Sequence, residues 1–75
     1  MANRNNYWTV RESKKWAVKR EGSDRLSAVH STQADAWSDA RRRARAAGGE
    51  AFLQDRDGRI RARNTYGVDP YPPKG

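Results

Sequence analysis

In YWTVRESKKWAVKR, residues 7–20, apolar and polar positions alternate on both sides of a short polar segment. Period-two alternation interrupted by a polar break predicts two strands joined in a hairpin. Placing Trp8, Val10, Trp16 and Val18 on one face pairs Val10 with Trp16 and Trp8 with Val18, and leaves Glu12-Ser13-Lys14 as the loop. Tyr7, Thr9, Arg11, Lys15, Ala17 and Lys19 then occupy the other face. EGSD, residues 21–24, is a turn, and RLSAVHS predicts a third strand whose inward set is either Leu26/Ala28 or Ser27/Val29.

From Thr32 the period changes to that of a helix. Thr32-Gln33-Ala34-Asp35 has the form of a capping box, and Gly48-Gly49 supplies a left-handed stop after Ala47. Ala36, Trp37, Ala40, Ala44 and Ala47 share one arc, with Ser38, Arg41, Arg42 and Arg45 on another. The alanines let the helix lie close to a sheet, with Trp37 as its bulky anchor. EAFLQDRDGRIRARNTY predicts a second hairpin with Asp57-Gly58 as a two-residue turn. Its register opposes Arg56 to Arg59, Asp55 to Ile60, Gln54 to Arg61, Leu53 to Ala62 and Phe52 to Arg63. Ala51, Leu53, Ile60 and Ala62 are expected against the helix, and Phe52, Gln54, Arg56, Arg59, Arg61 and Arg63 outside.

The element order is β-β-β-α-β-β. The fold class is α+β, a mostly antiparallel five-stranded sheet with one helix packed on one face. Residues 1–6 form a flexible lead-in, residues 7–66 the single domain, and the Pro- and Gly-rich residues 67–75 a tail.

Length and charge narrow the function. A 75-residue chain buries a small core, and without cysteine and with one histidine it has neither a disulfide nor a Cys/His zinc site to reinforce it. A homodimer, through an exposed sheet edge or the tail containing Tyr71, is the expected supplement. No apolar run has the length of a membrane span, so the chain is expected to be cytoplasmic and to contact no membrane. Sixteen Lys and Arg oppose nine Asp and Glu, a formal charge of +7 that favours anionic partners. Twelve of the cations are arginine, a planar fork suited to phosphate and carboxylate; a GC-rich coding sequence produces the same bias.

Arginines recur at Arg59, Arg61 and Arg63, every second residue of one strand. Both hairpins put basic side chains on the outer face, and Arg11 opposite Lys15 and Arg56 opposite Arg59 are like-charge pairs that cost stability unless an anion relieves them. The candidate nucleic-acid-binding residues are therefore Lys15, Lys19, Phe52, Arg56, Arg59, Arg61 and Arg63, with Phe52 or Tyr7 to stack and with Arg41, Arg42 and Arg45 as a second basic patch. A solvated face that keeps sheets from pairing with one another has the same composition. No catalytic residue, metal ligand set or cofactor loop is expected. His30 stands alone as a surface or capping residue, and Asp39 with Arg43 is an ordinary helix pair.

YWTV, then KWAVKREGSDRLSAVHSTQADAW, then RDGRIRARNTYGVDPYPPKG resembles the small bacterial family known as domain of unknown function 2188 over nearly the whole chain. The paired W-x-V segments, the helix entry with Val29, Thr32, Gln33 and Ala34, and the closing D-G-R-I-R and P-P-K-G carry the resemblance. It implies a self-contained bacterial domain and transfers no activity or functional residue. The leading expectation is a non-enzymatic nucleic-acid-binding module using an arginine-rich sheet face. The alternative is a regulatory protein that docks on an acidic protein surface.

Overall fold

Two residues, Ser13 and Lys14, join the first two strands, and this loop length decides which side of the first strand faces inward. The computed structural model describes residues 5–66. The proline-rich tail and residues 1–4 lie outside the described residues. β1 (Tyr7–Glu12) and β2 (Lys15–Arg20) pair antiparallel, with Glu12 opposite Lys15, Arg11 opposite Trp16 and Thr9 opposite Val18. Ser13 takes φ 58, the positive value a tight hairpin demands. The three-residue loop expected from the sequence is thus one residue too long. A one-residue slip exchanges the two faces of a strand, so Thr9 is buried and Trp8 and Val10 point away from the helix. On β2 the expected inward pair, Trp16 and Val18, is buried as predicted.

β3 (Leu26–His30) pairs antiparallel with β2, opposing Ala28 to Val18 and Val29 to Ala17. Ala28 packs on the core. A register shift between Val18 and Lys19 brings Leu26 opposite Lys19, so Leu26 and Val29 both face outward and neither expected alternation holds throughout.

α1 (Gln33–Ala47) starts and stops where its caps require. The Thr32 hydroxyl accepts from the Asp35 amide at 3.1 Å, and Gly48 adopts φ 75. Ala36, Ala40 and Ala44 are fully buried on the face toward the sheet, and small side chains there let helix and sheet approach closely. The bulky anchor is Trp16 from the sheet, 7% exposed, whereas Trp37 is only partly buried at the edge of the core. Gly49 serves a different need from Gly48: a Cβ there would lie 1.9 Å from the carbonyl oxygen of Asn5.

β4 (Glu50–Gln54) lies parallel to β1, and β5 (Ile60–Thr65) pairs antiparallel with β4. The sheet order is β3-β2-β1-β4-β5, mixed but mostly antiparallel. Asn6 joins the packed body: its side-chain carbonyl accepts from the Glu50 amide at 2.9 Å, tying the start of β1 to the start of β4.

The β4–β5 register is as predicted for Leu53 with Ala62 and Phe52 with Arg63, and differs at the turn. Arg56, Asp57 and Gly58 form the loop. The Gly58 amide donates to the Asp55 carbonyl at 3.0 Å, Gly58 sits at φ 84, and Asp55 closes the hairpin on Arg59 at 2.9 Å. Arg61 is the extra residue that restores the register, and Ile60 falls opposite Gln54, where it is 55% exposed instead of packing on the helix.

Candidate nucleic-acid interface

The uncovered face of the sheet carries one continuous row of opposed residues across neighbouring strands. Lys19 opposes Trp8 across β2 and β1, Trp8 opposes Phe52 across β1 and β4, and Phe52 opposes Arg63 across β4 and β5. Cation, aromatic, aromatic and cation therefore follow in order. Trp8 and Phe52 stack with ring centroids 4.2 Å apart and planes 17° from parallel. Parallel pairing places the two rings side by side at the strand spacing, which is close to a stacking distance. The Trp8 indole donates to Glu21 at 3.0 Å, which fixes the ring. Against Trp8 lies a depression of about 420 Å³, lined also by Val10, Lys19, Arg20, Glu21, Gly22, Ser23 and Gln54.

The expected site residues divide. Lys15, Lys19, Phe52 and Arg63 share this face, Lys15 beside Glu12 near the hairpin loop. Arg56 lies in the β4–β5 loop, and Arg59 is its closing residue. Neither expected like-charge pair forms: Arg11 lies over the Trp16 ring at 5.3 Å, Lys15 faces Glu12, and Arg59 faces Asp55. The arginine row does not stand as three free cations either. Arg61 is 2.8 Å from Asp55, and Arg63 is 3.6 Å from Glu50. Asp55 also accepts from the amides of Asp57 and Arg59; the Arg59 amide leads the groups that hold its carboxyl below the ordinary carboxylate value, against a smaller opposing push from desolvation.

Trp8, Val10 and Gln54 belong to this face, and the sequence reading missed Trp8 and Val10. One signal was available: a two-residue Ser13-Lys14 turn opposes Glu12 to Lys15, an attractive pair, where the longer loop opposes Arg11 to Lys15.

On the opposite side of the molecule, His30 is not a lone capping residue. Its Nε2 lies 2.8 Å from Asp39, a carboxylate only 7% exposed that also binds Arg42 and, at 3.0 Å, Arg43. Burial would raise the Asp39 pKa, but the hydrogen bonds from His30 and Arg43 and the charges of Arg43 and Arg42 together outweigh it and hold the carboxyl below its ordinary value. An ionised carboxylate only accepts, so His30 carries its proton on Nε2. Among the described residues no group of three His, Cys, Asp or Glu side chains is placed to hold a metal, and no helix is long and apolar enough to cross a membrane.

No curated protein and no solved structure matches the chain. A family model described as "Uncharacterized protein conserved in bacteria (DUF2188)" matches residues 7–66, from the first residue of β1 to the residue after β5. The chain belongs to the DUF2188 family.

Proposed function

We propose that this protein is a non-enzymatic module that binds nucleic acid through the open sheet face, with unpaired bases stacking on the aromatic row and phosphates meeting Lys19 and Arg63. The observation that carries this reading is the ordered row of Lys19, Trp8, Phe52 and Arg63. A stacked aromatic pair flanked by cations suits a single strand, because stacking tolerates any base and an unpaired base can extend the stack, while cations beside it meet the backbone. The depression against Trp8 gives an extruded base room beside Lys19 and Arg20. The formal charge of +7 adds sequence-independent attraction.

Docking on an acidic protein surface is the second reading, favoured by the formal charge of +7 and by Leu26 and Val29, which are 39% and 49% exposed on the edge strand β3. Titrating labelled single strands and duplexes of about twelve nucleotides at several salt concentrations separates the two. Nucleic-acid binding requires saturable, salt-dependent affinity that is higher for the single strand and weakened in Trp8→Ala. No saturation at about 50 mM salt would leave the protein-docking reading in its place.

A further inference from the structure

Ser38, Arg41, Arg42 and Arg45 follow one another at spacings of three, one and three residues along α1, which puts them on a single side of the helix. Tyr66, just after β5, completes the group. Its amide donates to the Gly49 carbonyl at 2.8 Å, which anchors the residue beside the helix C-terminus. These five side chains line a depression of about 260 Å³, with no carboxylate of the described residues among its lining. Of its three arginines only Arg42 reaches an acid, Asp39, whereas Arg61 and Arg63 on β5 lie against Asp55 and Glu50.

The donors here are poised before any ligand arrives. The Arg41 guanidinium lies over the Trp37 ring at 5.3 Å, which fixes its plane. Its Nε is buried and has no hydrogen-bond partner among the described residues. That atom has no exposed surface, so Arg41 meets the depression with the rest of its side chain, which the Trp37 ring holds in place. Arg42 spends one nitrogen on Asp39 and keeps its remaining donors. The Tyr66 hydroxyl accepts from Asn64 at 3.1 Å, so its own hydrogen is left to donate. Three arginines and two hydroxyl-bearing residues thus line one space.

We propose that this depression binds a phosphate group, held by Arg41, Arg42 and Arg45 with Ser38 and Tyr66 as neutral donors. An acceptor-only ligand with several oxygens matches a site made of donors, and a phosphate can engage more than one guanidinium fork at once. The negative end of the helix dipole, about half a charge, lies nearby and opposes an anion, but three full positive charges exceed it. The site lies on the helix side of the sheet, so it stands whether or not the open face binds nucleic acid. A terminal phosphomonoester and a backbone phosphodiester present the same oxygens, and the experiment tells them apart.

The test is a two-dimensional amide NMR titration of the full chain with inorganic phosphate at constant ionic strength, with chloride as the control. Saturable shifts are expected at Ser38, Arg41, Arg45 and Tyr66, together with a shift of the Arg41 Nε–H. Arg45→Gln and Arg41→Gln should each weaken binding about tenfold. Arg45 is exposed, so its variant keeps the test valid if Arg41→Gln melts early. In a second arm, a short single strand is compared with and without a 5′-phosphate. Filling of the site only by the phosphorylated strand identifies a monoester ligand, and equal filling that is lost in Arg45→Gln identifies the backbone. Absence of saturation, or phosphate binding unchanged in Arg45→Gln, overturns the proposal. Loss of oligonucleotide binding in Trp8→Ala with phosphate binding intact counts on the open face alone.

Discussion

Trp8 and Phe52 stand on neighbouring parallel strands with their rings stacked 4.2 Å apart, on the side of the sheet that the helix leaves uncovered. Trp16 lies on the other side, buried beneath the helix. The two tryptophans should therefore respond unequally to truncation. Trp16→Ala should cost about 3–5 kcal/mol by opening a cavity in the core. Trp8→Ala should cost about 1–2 kcal/mol, from the lost ring pair and partial burial. Urea unfolding of both variants checks this, and the reverse order would mean that β1 presents its other face to the helix.

Acid should expose the Asp39 cluster. Its folded pKa lies below the unfolded value of 3.8, so the stability it contributes is present above that value and disappears as pH falls through the folded pKa. Melting temperatures measured from pH 5 down to pH 2 should fall on this limb, and Asp39→Asn should flatten the fall. At neutral pH the same variant should lose about 1–3 kcal/mol, because His30 and Arg43 are left with a weaker acceptor.

Consecutive glycines should tolerate alanine very differently. At Gly48 a methyl group meets open space but the positive φ resists it, so Gly48→Ala should cost about 1 kcal/mol. Gly49→Ala would drive a methyl into the Asn5 backbone, which cannot yield without disturbing the Asn6 contact to Glu50. A larger fall in melting temperature for Gly49→Ala than for Gly48→Ala is the expected result.

Asp55 organises the second hairpin through the amides of Asp57 and Arg59 and the Arg61 guanidinium. Asp55→Ala should speed hydrogen exchange at the Asp57 and Arg59 amides and lower the melting temperature. Unchanged exchange at both positions would show that Gly58 alone sets the turn.

The open-face reading also ranks the basic residues. Replacing Lys19 and Arg63 together by glutamine should flatten the plot of log affinity against log salt by about 1.4 units for a single strand. The loop pair Arg56 and Arg59, replaced in the same way, should change the slope less. Equal effects would assign the attraction to net charge and not to the row.

Local chemistry was enough for much of this protein. The order of elements, the span of the helix with its Thr32 and Gly48 caps, the burial of Trp16 and Val18, and the pairing of Phe52 with Arg63 all depend on side-chain periodicity and on turn residues a few positions away. Only the tertiary structure decided the faces and the partners. A two-residue loop in place of three turned Trp8 and Val10 outward and Thr9 inward, because strand side chains alternate with a period of two and the loop length, not the apolarity of Trp8 and Val10, set the register. Compensating irregularities at Gly58 and Arg61 moved Ile60 to the surface for the same reason. Charges were harder still to place from sequence: Arg61 found Asp55 within its own hairpin, but His30 found Asp39 on the helix, and Arg41 was laid over Trp37 and lines a space shared with Tyr66. Those meetings depend on how the helix crosses the sheet, and hydrophobic periodicity constrains that crossing only through the alanines that make it close.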